Sequence, residues 1–300
     1  MSSIIDTLRG ASYPLGPAMP TTSMPTSILA AFQENVSKRA NDPACRFRDS
    51  DDKWQTMTWA DMDLARKELA AGLLALGFEP KQRAAIFAGS SEKWMLADLA
   101  NQSVGGQTVP IYQSNTAPEA EYIINNCEAV LVFAEDEGQV AKLQEQKDKL
   151  ANVTKVVVMN DATDGTDWTI GWSELQKTGR ERLLESEETL RERAATLTPD
   201  DILTIIYTSG TTGRPKGAVL THSNMLYQVK AVTEIGLVSP DDTQFLFLPM
   251  AHVFAKVLQC IWLGIGHEMA IDGNVQRVVE NMGEVRPTMA ASVPRVFEKV

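Results

Sequence analysis

The sequence predicts an α/β fold, a largely parallel sheet with helices on both faces. Three observations carry this. Strand-like and helix-like periods alternate along the whole of the 300 residues. The strand-like runs are apolar throughout rather than alternating, as strands covered on both faces are. With 44% hydrophobic residues, the chain also has ample material for a large core.

The elements follow in order. Residues 26–40 (TSILAAFQENVSKRA) have helical spacing, after a Pro-, Ser-, Thr- and Met-rich lead-in expected to be extended over residues 1–25. CRFRDS and KWQTMTW read as a short strand pair about the turn DSDD. Thr58 is placed to cap the next helix, in which Met62, Ala65, Leu69, Leu73 and Leu76 share one face and Gly77 ends the run. RAAIFAG is a strand, followed by a helix over 91–104. QTVPIY is a strand and 117–127 a helix. AVLVFA is a strand and 136–149 a helix. VTKVVVM is another strand, and DATDGTD a turn. That turn does not have the spacing of a calcium loop, because Trp172 stands where a bidentate Glu is needed. A helix is expected over 180–195, then the strand DILTIIY. Further helices are expected from about 222 and 253 and over 274–284, alternating with the strands TQFLFLP, HEMAI and TMAAS. A last helix follows Pro294. The chain stops at Val300 inside that helix with no cap or polar tail, which reads as a truncated chain.

Composition removes several classes of function. The formal net charge is −11 and no Lys/Arg-rich run occurs, which argues against nucleic acid as a partner. The acidic run ESEETLRER reads as a solvated helix face. Cys45, Cys127 and Cys260 are odd in number, widely spaced and without CxxC pairing, as expected of reduced, buried thiols in the cytoplasm. The first residues lack the features of a signal peptide, and no apolar run reaches the roughly 20 residues of a membrane span.

One segment demands chemistry. YTSGTTGRPKG (Tyr207–Gly217) follows a buried strand and holds three glycines, four hydroxyls and a lysine. Ligands of open α/β sheets sit at the carboxyl ends of strands, where this loop lies. Glycines let successive backbone N–H groups converge on an oxyanion. Thr208, Ser209, Thr211 and Thr212 add donors, Lys216 adds a full charge, and Pro215 stiffens its carrier. Each charge-assisted hydrogen bond contributes roughly 1.5–3 kcal/mol, so a handful holds a polyphosphate. The Walker loop does not fit, because Gly217 follows Lys216 where Ser or Thr is required.

YTSGTTGRPKGAVLTHSN resembles the phosphate loop of the adenylate-forming enzymes: acyl-CoA synthetases, luciferases and peptide-synthetase adenylation domains. FLPMAHVFAKV (Phe247–Val257), SVPRVFEKV (Ser292–Val300) and GGQTVPIYQSNTAPEAEYIINNCEAVLVFAED are similar to the long-chain fatty acyl-CoA synthetase branch. The resemblance covers nearly all of the chain from about residue 26. It implies two packed, largely parallel sheets flanked by helices, the first part of a large adenylation domain. One sheet is expected over about 80–225, the other over 26–79 plus 226–300. A later barrel and a small C-terminal domain would lie outside the chain.

The implied reaction joins a fatty acid to ATP, releasing pyrophosphate, and then passes the acyl group from AMP to coenzyme A. Thr208, Ser209, Gly210, Thr211, Thr212, Gly213 and Lys216 would form the phosphate site, with Mg²⁺ as the second cation. His252 would border the acyl carboxylate, orienting it or contacting the α-phosphate without acting as a base. Lys256, one turn on and facing the same way, occupies a position near which some long-chain members carry an aromatic gate. No gate role is transferred to it. His222, at a helix start, reads as structural, and His267, with no partner in sequence, as ordinary. Trp262 is the one tryptophan of six considered for an acyl pocket. Fatty acid, ATP and CoA are the expected partners. A peripheral membrane association and a homodimer stay open, and the 300 residues alone are expected to be inactive. The alternatives are a ligase for another acid (a fatty acyl-AMP ligase, or one for aryl, medium-chain or amino acids) and an inactive nucleotide-binding fragment.

Overall fold

The computed structural model describes residues 24–208 and 214–292. Helix α1 (Ile28–Arg39) leads into the hairpin β1 (Pro43–Arg48) and β2 (Trp54–Thr58), and α2 (Trp59–Ala75) follows. The chain then runs β3 (Arg83–Phe87), α3 (Glu92–Ser103), β4 (Gln107–Ile111), α4 (Ala117–Asn126), β5 (Ala129–Ala134) and α5 (Glu137–Gln144). Next come β6 (Lys155–Val158), β7 (Thr169–Gly171), α6 (Trp172–Ala195), β8 (Ile202–Thr208), β9 (Lys216–Thr221) and α7 (His222–Glu234). It closes with β10 (Thr243–Leu246), α8 (Val253–Ile265), β11 (Glu268–Ile271), α9 (Val278–Val285) and β12 (Met289–Ala290).

These strands form two sheets. A seven-stranded sheet has the order β7-β6-β5-β3-β4-β8-β9, parallel except for the last pair. A five-stranded sheet has the order β12-β10-β11-β1-β2, parallel except for the β1–β2 hairpin. The chain thus starts the smaller sheet, builds the larger, and returns to complete the smaller.

Local chemistry explains the elements. Thr58 accepts from Asp61 N at 3.1 Å while the Asp61 carboxylate accepts from Thr58 N at 2.9 Å, a capping box that starts α2. Met62, Leu69 and Leu73 on its inner face are wholly buried. The largest core cluster joins the two sheets. Phe32, Trp59, Trp94, Phe133, Phe245 and Trp262 all belong to it. A second cluster lies under α4 and α5, built by Ile123, Ile124, Val140 and Leu143 against Phe87, Val109 and Val132.

The structure departs from the sequence expectation at several places. The helix expected from residue 180 starts at Trp172 and takes in Gly179. A glycine inside a helix normally weakens it by about 1 kcal/mol. Here a Cβ at Gly179 would stand 1.7 Å from the Glu68 carbonyl oxygen, so α6 can cross α2 only through glycine. β7 and β9 were not expected as strands. The helix expected over 136–149 ends at Gln144, with a separate 3-10 turn at Lys147–Lys149, and the one over 274–284 begins with a 3-10 turn at Val275–Arg277. Residues 1–23 and the helix expected after Pro294 lie outside the described residues.

Candidate active site

β8 (sequence ILTIIYT) is β-branched and apolar, buried from Leu203 to Tyr207, and reaches the surface at Thr208. β9 returns antiparallel to it, with Tyr207 opposite Gly217 and Thr208 opposite Lys216. A parallel strand would have needed a long crossover, and the short glycine-rich connection enforces the hairpin. The exposed Thr208 hydroxyl and the exposed Lys216 ammonium therefore start from facing positions at the carboxyl end of β8. Among the described residues Lys216 enters no ion pair. Ser209, Gly210, Thr211, Thr212 and Gly213 lie outside the described residues.

Gly217 has a packing reason to be glycine. A Cβ there would stand 2.8 Å from Ile205 Cγ2 and 3.1 Å from Tyr207 Cζ. The Tyr207 ring lies across it, and burial raises the pKa of its phenol. A concavity of about 640 Å³ opens beside the hairpin, walled by Pro118, Tyr122 and Asn126 of α4 and by Arg214 and Pro215. A second, of about 580 Å³, lies between α1, α2 and α6 and shares no residue with the hairpin.

His252 stands at the N-cap of α8, exposed, with extended backbone. Its Nδ1 accepts from Phe254 N at 3.1 Å. That bond leaves the proton of a neutral ring on Nε2, which faces outward as a donor. Ser90 fixes the approach to it. At the carboxyl end of β3, Ser90 Oγ donates to the Leu248 carbonyl at 2.8 Å and accepts from Met250 N at 2.9 Å. One hydroxyl of the larger sheet thus ties down the turn between β10 and His252. His252 and Lys216 belong to different sheets, and among the described residues no hydrogen bond or ion pair joins them.

Lys256 does not share the open face of His252. It turns into the interior, 0% exposed, and its Nζ meets Asp98 Oδ2 of α3 at 2.6 Å. Gln102 and Gln259 donate to the same oxygen at 2.9 and 3.0 Å. The ammonium also lies 5.6 Å from the Trp94 ring centroid. Asp98 Oδ1 and the amide oxygens of Gln102 and Gln259 have no partner among the described residues.

His222 is buried at the start of α7, where its Nδ1 accepts from Ile28 N at 3.1 Å. Burial first, and then the Lys256 charge, lower its pKa to about 4. His267 is buried against Gln244 at 2.8 Å, and burial lowers it to about 4 as well. Trp262 packs on Trp59 with centroids 5.6 Å apart and donates to the Ala44 carbonyl at 3.1 Å, so it belongs to the core. Burial raises the pKa of all three cysteine thiols, and none forms a disulfide.

Sequence reasoning did not find Ser90, Tyr122 or Asn126. Ser90 follows an apolar strand in AGSSEKW, a position that reads as an ordinary helix start. Tyr122 and Asn126 touch the hairpin from a helix some 90 residues earlier, which no local pattern reveals.

Two largely parallel sheets flanked by helices are the architecture of the N-terminal domains of adenylate-forming enzymes. The chain belongs to the AMP-binding enzyme family, which it matches over residues 32–300. It is 30% identical over 252 residues to the long-chain-fatty-acid–CoA ligase FadD15 of Mycobacterium bovis, covering 83% of this chain and 41% of that protein. It is 28% identical to human long-chain-fatty-acid–CoA ligase 1, over 92% of this chain and 41% of that protein. The chain therefore spans about two fifths of the length of these relatives. The solved N-terminal domain of FACL13 from Mycobacterium tuberculosis superposes with a TM-score of 0.70 at 25% identity, covering 91% of this chain and 64% of that one. A long-chain-fatty-acid–CoA ligase from Archaeoglobus fulgidus gives 0.77 at 21% identity, over 96% and 55% respectively.

Proposed function

We propose that the protein activates a long-chain fatty acid. A carboxylate oxygen attacks the α-phosphate of ATP, the bond to pyrophosphate breaks, and acyl-AMP forms. The thiol of coenzyme A then attacks the acyl carbon, and AMP leaves with the bonding pair. The observation that carries the reading is the hairpin that sets Thr208 opposite Lys216 at the carboxyl end of a buried strand. Two anions meet in the first step, and an ammonium that enters no ion pair among the described residues is available to lower the charge barrier.

Within this reading Ser209 to Gly213 complete the phosphate cradle with backbone and hydroxyl donors. The Nε2–H of His252 donates to the acyl carboxylate or the α-phosphate, while Nδ1 stays committed to the helix cap. Magnesium fits as the ion carried by the triphosphate. Among the described residues no group of three His, Cys, Asp or Glu side chains could cage a metal alone. The fold does not choose the acid, because an anthranilate CoA ligase shares it at a TM-score of 0.73. The names of the relatives in sequence support a long-chain acid. Three free, buried cysteines support a reducing compartment, so on this reading the enzyme works in the cytoplasm. No helix among the described residues is long and apolar enough to cross a membrane.

CoA-dependent release of AMP by the intact protein tests this. Release with palmitate, and none with short or amino acids, is expected. A preference for an amino acid overturns the acid assignment. Lys216→Ala is expected to lower acyl-adenylate formation by about a hundredfold or more, the scale of losing one charge-stabilising donor. A wild-type rate in that variant overturns the phosphate reading.

A further inference from the structure

One helix touches both stems of the β8–β9 hairpin. Asn126, the last residue of α4, accepts a 2.6 Å hydrogen bond from the Tyr207 hydroxyl, one residue before β8 ends. One turn earlier, the Tyr122 hydroxyl donates to the Pro215 carbonyl at 3.1 Å, one residue before Lys216. The Arg214 guanidinium carbon lies 5.2 Å from the Tyr122 ring centroid. Residues four apart on a helix share a face, so Tyr122 and Asn126 reach the two stems together.

These ties are not needed to seat the helix. Ile123 and Ile124 already anchor α4 in the core beneath it. The polar contacts fall instead on the two residues that flank the facing pair Thr208 and Lys216. A hydrogen bond to the Pro215 carbonyl fixes the rotation of the peptide group that enters Lys216. The Asn126 bond fixes the Tyr207 ring, which lies over Gly217 on the other side of Lys216.

We propose that Tyr122 and Asn126 are positioning residues of the reaction, holding both stems in the register that aims Lys216 at the phosphates of ATP. The inference rests on the phosphate reading of the hairpin given above. α4 then acts as an abutment for the site without touching substrate.

The test compares Tyr122→Phe, Asn126→Ala and the double variant with Lys216→Ala in the intact protein. Initial rates are measured against ATP and against palmitate, together with thermal midpoints. The double variant is expected to raise KM for ATP by about tenfold, equivalent to ~1.4 kcal/mol. KM for palmitate should move by less than about twofold, and the midpoint by less than about 3 °C. An ATP KM unchanged in the double variant, while Lys216→Ala is crippled, overturns this inference and leaves the phosphate reading intact. Equal shifts in both KM values with a fallen midpoint also overturn it, since they mark a merely structural role. A wild-type rate for Lys216→Ala removes the phosphate reading itself. If the double variant does not fold, Tyr122→Phe, which loses one oxygen atom, supplies the same comparison.

Discussion

Lys216 and His252 reach solvent by different routes. Lys216 is brought out by the end of a strand pair, and His252 by the N-cap position of a helix whose first turn it closes. A substitution can separate the cap that the histidine forms from the role proposed for it in the reaction. Asparagine is a strong N-cap residue and keeps the bond to Phe254 N, but it cannot reproduce an outward Nε2–H at the imidazole position. His252→Asn is expected to hold the thermal midpoint within about 2 °C and to slow acyl-adenylate formation by about tenfold to a hundredfold. Pyrophosphate exchange reads the proposed role and a melting curve the cap, and an unchanged exchange rate would leave His252 as a cap alone. The residue types at the hairpin were legible in the sequence because glycine, hydroxyl and lysine chemistry is local. The fate of Lys256 was not legible, because its partner Asp98 lies 158 residues away.

Helices α3 and α8 meet through that pair. Both side chains are essentially unexposed, and three donors converge on one carboxylate oxygen. Removing one partner of a buried pair leaves an uncompensated charge and costs about 3–5 kcal/mol, whereas removing both is often close to neutral. Lys256→Met is therefore expected to destabilise the protein by that amount, and Lys256→Met with Asp98→Asn to recover at least half. Denaturant midpoints of the two variants check this, and an equal loss in both would show that the pair does not act as a unit. The strands and most helices could be read because their apolar periods are long. β7 has three residues, too few for a period, and β9 hides behind Pro215 and Gly217. The start of α6 was missed because Gly179 reads as a stop until the backbone of α2 is seen against it.

For the whole molecule, acid should weaken the fold through its buried imidazoles. His222 and His267 are neutral when folded, with pKa values of about 4 against an ordinary 6.5. The unfolded chain takes up their protons below about pH 6.5 and the folded protein does not, so their contribution is complete at neutral pH and drains away between 6.5 and 4. The difference corresponds to up to about 3 kcal/mol for each ring. Thermal midpoints should fall across that range. A flatter slope is expected in His222→Gln, which retains an acceptor for Ile28 N, and an unchanged slope would clear His222 of the effect.

The pairing of Cys45 with Met269 has a consequence for biosynthesis. Strand β1 leaves the ribosome about 220 residues ahead of its parallel neighbour, a wait of about 10–45 s at common elongation speeds. During that interval the larger sheet can assemble while the amino-terminal hairpin, with the β11-facing edge of Cys45 to Phe47 unpaired, waits for its neighbour. Nascent copies of this protein should therefore be clients of holding chaperones until β11 emerges.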